Sequence, residues 1–386
     1  MQVPNVTKKQ RDVHLDWLKE ITAIPTAAGR EDRVIAWIEA WVAHRPGLSI
    51  SRDKAGNLLI SKATTLTDSK ATRSRPLYIT AHLDHPAFIV QSVRNDIIEL
   101  EFRGGVNDPY FESATIEIID SENHSHAATI DKLNNKATPF KRVTARLKRS
   151  RKGIVPGDIA RWKLPKPSIN AAGELHTNAC DDLAAVAAAL AVIDITYKRA
   201  GLEHVSLLFT RAEEVGFVGA IAACRLRSIP KTARLICLEN SRSFAESPIG
   251  GGPILRVGDR ISVFEPNLTN ALCALLLEYA GKNPSFKWQR KLMPGGACEA
   301  TAFASFGYDS TCVCLPLGSY HNMRDIDAVA QGKRPARIGR EYISIADFHG
   351  LVDLLLISCA KLDDERETIR QRMDRFFEQR AGIVGL

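Results

Sequence analysis

The sequence predicts an α/β fold: a mixed, largely parallel sheet with helices on both faces, into which a small all-β unit is inserted. Three observations predict it. First, strand-like apolar runs alternate with helical stretches through most of the chain, the pattern of a parallel sheet covered on both sides. Second, between residues 88 and 166 this alternation stops. Short period-two segments (FIVQSV, IIELEF, ATIEIID, VTARLK) take over, separated by turn signals such as RND, GGVNDP and SENHSH. Third, acidic and histidine side chains fall just after the apolar runs, where open α/β sheets carry their ligands.

The elements follow in order. His14 to Thr22 reads as a helix. Glu31 to His44 is a clearer one, because Val34, Ile35, Ile38, Trp41 and Val42 form one apolar stripe. Leu58–Ser61 and Leu77–Thr80 read as strands separated by a polar loop (ATTLTDSKATRSR). After the inserted unit, Asp182 to Tyr197 is a helix apolar on most sides. Val205–Thr210, Arg234–Leu238 and Cys312–Leu315 read as strands. Val218–Arg225, Leu268–Tyr279 and Ile345–Ala360 read as helices, with an exposed helical stretch over Asp363–Arg380. The expected division is residues 1–87 with 167–386 as one domain and 88–166 as the insert. A chain of 386 residues is long enough for two such units.

Composition narrows the class. At 45% hydrophobic and 25% charged, the chain is ordinary for a globular protein. The net charge of +8 is partly local, with Lys141, Arg142, Arg146, Lys148, Arg149, Arg151 and Lys152 crowded into one stretch. No aromatic platform or nucleic-acid motif accompanies that run, so it reads as a solvated loop, not a nucleic-acid surface. The eight cysteines lie mostly in apolar stretches without a CxxC pair, as buried reduced thiols do. Cys312 and Cys314 would share one face of a strand. The N-terminal stretch has no signal-type apolar core, and the longest apolar run, Leu183 to Ile193, is too short to span a bilayer. The expectation is a cytoplasmic protein with no membrane insertion.

The strand-end residues carry the chemistry. His82 and Asp84 follow LYIT, Glu213 and Glu214 follow VSLLFT, Glu239 follows RLICL, and His321 follows STCVCLPL. Asp181 opens the apolar helix. Two histidines and three carboxylates suit two adjacent divalent ions. Asp181, Glu214 and Glu239 supply three negative charges against four positive ones, and a bound hydroxide closes the balance. With Asp181 bridging, His82 and Glu239 complete one site, and Glu214 and His321 the other, each keeping an open position. Asp84 would receive the second ring N–H of His82. Glu213 is left over as the general base. Zinc is the first choice of ion, with cobalt or manganese as alternatives. His85, His124, His126 and His349 read as non-ligands, and Asp182 as a helix cap or first-turn acid.

This order of motifs resembles the M42 family of co-catalytic metallo-aminopeptidases, relatives of the M28 and M20 metallopeptidases. EEVGFVGA matches the family motif over its full length. GGVNDPYFESATIEI resembles its Gly-Gly-Trp-Asp-Pro segment, IVPGDIARW and NACDDLAAV its Pro-Gly-Asp and Asp-Asp-Arg segments, and GGACEA its Gly-Gly-Gly-Thr-Asp-Ala segment. The resemblance implies a phosphorylase/hydrolase-like catalytic domain and removal of N-terminal residues from peptides. It implies ligands at His82, Asp181, Glu214, Glu239 and His321, and the base at Glu213. It also implies a homo-oligomer, a dimer or larger hollow assembly, built through the β insert. Four positions depart from the family pattern. His85 stands for Glu, Leu183 for Arg, Glu239 for a ligand Asp, and Glu299 for the Asp of Thr-Asp-Ala. They bear on substrate preference more than on ligation. A deacylase or carboxypeptidase on the same site is the enzymatic alternative, and a non-catalytic peptide-binding protein the other. A free substrate amine would call for an acid such as Glu299 beside the site, a free carboxylate for Arg or Lys.

Overall fold

The computed structural model describes residues 1–63, 74–148 and 153–386. Most of the loop following Lys62, and Arg149, Arg151 and Lys152 of the basic run, lie outside the described residues. An eight-stranded mixed sheet runs in the order Leu48–Arg52, Leu58–Lys62, Val205–Thr210, Leu77–His82, Arg234–Arg242, Asp309–Leu317, Ile254–Gly258, Gln289–Leu292. The four central strands are mutually parallel, and the flanking strands bring in antiparallel pairs. All four central strands are nearly continuous runs of buried residues, as two-sided cover requires.

The period of two sorts their side chains. Ile236, Leu238, Val313 and Leu315 pack into one apolar cluster with the helices Lys8–Ile21, Asp32–Ala43, Leu183–Thr196 and Ile345–Lys361. Leu235, Cys237, Cys312 and Cys314 face the opposite cluster, under Val218–Leu226 and Glu299–Ser305. Cys312 and Cys314 therefore do share a face, and all eight cysteines are buried and free. Leu183–Thr196 is buried along its whole length except at Asp194, whose carboxylate pairs with Arg45 at 2.6 Å. Its alanines let it lie close against the sheet, and its aliphatic residues gain about 1.5–3 kcal/mol each from burial. No described helix is long and apolar enough to cross a membrane.

Six strands close into a barrel: Ala87–Arg94, Ile97–Arg103, Lys141–Leu147, Ser125–Asn134, Thr115–Ile119 and Ile159–Trp162. Its core is aromatic, with Phe88, Phe102, Phe111 and Trp162 in tilted and edge-to-face contact at 4.8–6.1 Å. Met323, from the chain just after His321, completes that core. On the barrel wall Lys141 pairs with Asp108, and Arg146 with Asp96 and Asp131, so these two members of the basic run are already neutralised. A third, three-stranded sheet joins Ser168–Ile169, Glu174–Thr177 and Glu341–Ser344.

Candidate metal centre

Three of the four central parallel strands end at the site. Leu77–His82 ends in His82 itself, Val205–Thr210 leads into Glu213 and Glu214, and Arg234–Arg242 carries Glu239. The fourth, Asp309–Leu317, leads to His321 through a close approach. An added Cβ at Gly318 would lie 2.1 Å from the Tyr342 ring, so only glycine fits there. His321 and its neighbours Ser319 and Asn322 all have left-handed backbone, φ 52°, 51° and 63°, which swings the ring back over the sheet end. Asp181 arrives from the three-stranded sheet, immediately before the buried helix.

The structure brings His82, Asp181, Glu213, Glu214, Glu239 and His321 together. Asp181 lies between the histidines: His82 Nε2 is 3.3 Å from its Oδ1, and His321 Nε2 is 3.4 Å from its Oδ2. Glu239 Oε1 lies 3.8 Å from His82 Nε2, and Glu214 Oε1 3.2 Å from His321 Nε2. Glu213 Oε2 is 3.9 Å from His82 Nε2. Both histidines turn Nδ1 to a backbone carbonyl, His82 to Asp84 at 3.1 Å and His321 to Gly105 at 2.6 Å. Each Nδ1 thus donates its proton away from the cluster, and each Nε2 faces the acids.

These residues fit divalent ions. Asp181 Oδ1 and Glu214 Oε1 are buried with no hydrogen-bond partner among the described residues. Three overlapping groups, His82 with Asp181, Asp182 and Glu239, His82 with Glu213 and Glu214, and Asp181 with Glu214 and His321, each bring their ligand atoms within 4.8 Å of one another. The field tells the same story. Burial disfavours charge on both histidines, yet the carboxylates outweigh it, Glu213 foremost at His82 and Glu214 at His321, and push both imidazoles well above their usual range. Burial would also raise Asp181, but the two histidines hold it far below the carboxylate range. Burial pushes the Glu213 carboxyl well up. Glu239, Glu214 and Asp84 add to this, and His82 opposes it. Such a cluster of acids is a well of negative potential that a cation fills by displacing protons.

Three sequence expectations, for Asp84, Asp182 and Glu299, are refined or overturned. Asp84 does support His82, but through its backbone carbonyl. Its carboxylate Oδ1 is 3.5 Å from the ring and instead accepts the Glu213 backbone N–H, while Oδ2 accepts that of Glu214, each at 3.0 Å. Asp182 occupies the N-cap position without capping. Its carboxylate is taken up by the sheet ends instead, accepting the His82 N–H at 3.3 Å and the Asn240 amide at 2.7 Å. Glu299 is not on the cavity wall. It begins a helix whose inner side faces the sheet, is 2% exposed, and neither carboxylate oxygen has a hydrogen-bond partner among the described residues. Burial pushes its carboxyl up to about 7, with His82 and Thr210 pulling it back. His85 is no ligand, since its ring nitrogens meet the Asp181 carbonyl at 2.5 Å and Asn322 Oδ1 at 3.1 Å. His124 and His126 gather around Asp120 in a turn, away from the site.

Sequence reading missed Glu341. Its Oε2 accepts the N–H groups of Cys180 and Asp181 at 2.7 and 3.1 Å, and its Oε1 accepts that of His321 at 2.8 Å. One buried carboxylate thus ties Asp181 to His321. It is also pushed up to about 7, chiefly by burial. No sequence signal marks it, because its partners are backbone groups far away along the chain.

Above the acids lies a cavity of about 510 Å³. Asp181, Glu213, Glu214, Glu239 and His321 form its base, and the barrel contributes Gly104–Asn107 and Lys141. Arg242, Arg256 and Arg260 stand on its wall. Arg256 is 3% exposed and pairs with no carboxylate among the described residues. Its Nη1 donates to Ser241 Oγ at 3.2 Å, and its Nε has no partner. A buried guanidinium without a counter-charge is costly unless something else supplies one.

A family model described as M42 glutamyl aminopeptidase matches residues 63–334. The chain belongs to the M42 peptidase family. It is therefore a hydrolase of peptide bonds. Solved structures share the fold at low identity. An aminopeptidase from the archaeon Desulfurococcus kamchatkensis is 18% identical with a TM-score of 0.71, over 93% of this chain and 99% of that one. A TET aminopeptidase from a marine-sediment thaumarchaeote is 18% identical with a TM-score of 0.71, over 92% and 97%. The TET1 peptidase of Pyrococcus horikoshii, which can assemble into a tetrahedron or a large octahedral shell, is 17% identical with a TM-score of 0.68, over 90% and 99%. A search of curated proteins found no match.

Proposed function

We propose that this M42 chain is a di-metal-dependent aminopeptidase that removes N-terminal residues from short peptides. His82 and Glu239 would hold one ion, Glu214 and His321 the other, and Asp181 both. The observation that carries this reading is the position of Asp181, whose two oxygens face two different imidazoles at 3.3 and 3.4 Å. Nitrogen and carboxylate donors suit zinc first, with cobalt or manganese as alternatives. Such ions, when bound, would polarise the scissile carbonyl and render a water nucleophilic at neutral pH. Glu213 would take a proton from the attacking water and return it to the leaving amine as the C–N bond breaks. Asp84, by holding the Glu213 and Glu214 N–H groups, would fix the base and its neighbouring ligand together.

The cationic wall supports a substrate carboxylate. An acidic N-terminal side chain would bring one to Arg256 and Arg260, in keeping with the glutamyl specificity in the family's description. The same wall favours a second reading, a carboxypeptidase or N-acyl-amino-acid deacylase, because an α-carboxylate would fit it too. Glu299, the acid expected to read the amine, lies off the wall. We further infer that the barrel is an inserted domain over residues 88–166, between residues 1–87 and 167–386, and that copies pair through it into a homo-oligomer. Light scattering that finds a monomer with and without metal would remove that part.

The test is hydrolysis of matched dipeptides by zinc- and cobalt-loaded protein, with N-termini free or acetylated, C-termini free or amidated, and a first residue of Glu or Leu. Cleavage that requires a free N-terminus, and favours Glu, supports the aminopeptidase. Cleavage of acetylated substrates that requires a free C-terminus transfers the protein to the second reading.

A further inference from the structure

The barrel enters the candidate metal centre at one place. After the strand Ile97–Arg103 the chain turns at Gly104, φ 131°, where an added Cβ would stand 2.6 Å from Pro86. That turn aims the Gly105 carbonyl at His321 Nδ1, 2.6 Å away. The following residues hold the chain beyond His321. The Asn107 N–H donates to the Met323 sulfur at 3.4 Å, and the Tyr110 hydroxyl to the Arg324 carbonyl at 2.6 Å. Lys141, from the next barrel strand, donates to the Val106 carbonyl at 2.8 Å and pairs with Asp108 at 2.5 Å, gripping the segment on both sides of Asn107.

His82 has no such dependence, since its Nδ1 partner is the carbonyl of Asp84, two residues away on the same strand end. His321 lies on a left-handed turn, and the partner of its Nδ1 is 216 residues away. An imidazole ligand needs its second nitrogen held to keep its tautomer and its aim, and losing that support typically costs about 10- to 100-fold in metal affinity.

We propose that the barrel is a working part of the metal centre: its Gly104–Asp108 segment orients His321, and Lys141 is the positioning residue that holds the segment in place. This rests on the ligand assignment made above. It gives the barrel a task within its own subunit, separate from any role in assembly.

The test is a cobalt(II) titration of metal-free protein, followed by visible absorption and by counting bound ions. The step belonging to His321 is identified as the one missing in His321→Ala. In Lys141→Met that step should weaken about 10- to 100-fold while the other keeps its affinity. Lys141→Arg should restore much of it, and Lys132→Met, an exposed barrel lysine, should change neither step. Should Lys141→Met fail to fold, Asp108→Asn releases the same ammonium and should weaken the same step by less. Wild type binding two ions, with both steps unchanged in Lys141→Met or in that replacement, overturns the inference alone. Equal weakening of both steps also overturns it, because general loosening of the fold would act on both. Wild type binding fewer than two ions removes the ligand assignment, and the inference with it.

Discussion

His82 and His321 face the same carboxylate from opposite sides, yet the molecule supports them by different means. His82 ends a central strand, and its Nδ1 partner lies two residues on. Its backbone N–H is held by Asp182, which precedes the buried helix 100 residues on. His321 sits on a left-handed turn between two sheets, its ring held by the barrel and its N–H by Glu341. One half of the centre is thus built by a strand end, which is locally robust. The other half is assembled from three parts of the fold that must all arrive. Two like candidate ligands need not be equally secure, and the His321 half should yield first when the structure is disturbed.

The largest effect should come from removing what the halves share. Asp181→Asn should abolish binding of both ions and reduce hydrolysis by more than the loss of the base alone. Retention of one tight ion, measured by elemental analysis, would mean that the halves are independent after all. Next in size, Glu213→Gln should lower kcat about 10²- to 10⁴-fold while both ions remain bound. An unchanged kcat in this variant would remove Glu213 from the role of base.

A smaller effect separates the two supporting carboxylates. Glu341→Gln sets an amide against backbone N–H donors on the Asp181 and His321 side. Asp84→Asn does the same on the Glu213 and Glu214 side. Each should cost about 10- to 100-fold in metal affinity. Only Glu341→Gln should loosen the shared Asp181, so calorimetric titration should find both sites weakened in it, and the His321 site chiefly affected in Asp84→Asn. The reverse pattern would contradict the geometry.

The smallest effect lies away from both halves. His14 and His349, on helices under the sheet, are each lowered to about 4, chiefly by burial. The unfolded chain, with histidines near 6.5, binds more protons between those values. Their contribution is present in full above about pH 6.5 and is lost as pH falls toward about 4. The thermal midpoint should therefore drop across that window, and His14→Phe should flatten the slope. An unchanged slope would assign the acid sensitivity elsewhere, for example to the metal centre.

Much of this was legible in the sequence. Apolar periods located the central strands and most long helices to within a few residues, because burial on one stripe or on both faces writes a local pattern. The polar first turns of the first helix hid its start at Lys8, six residues before His14, and the polar last helix begins at Ile369, six residues after Asp363. The residues that gather at the candidate site were legible for the same reason: a parallel sheet has one functional edge, so an acid or histidine at the end of a strand is already placed. Shorter elements at the rim, such as Ile254–Gly258 and Gln289–Leu292, left no period long enough to read.

Side-chain pattern alone thus marked the central strands and the His, Asp and Glu residues that meet at their ends. Only the tertiary structure decided how those residues are held and what surrounds them. Glu341 finds its partners 160 and 161 residues away, Gly105 holds His321 through a backbone carbonyl, and Asp182 turns from its helix to the strand ends. Arg256 lines the cavity while Glu299 is turned to the sheet. Backbone donors and acceptors are the same at every residue, so nothing in a side-chain pattern says which of them a distant carboxylate or imidazole will meet. That is settled only when the sheet, the barrel and the buried helix pack together.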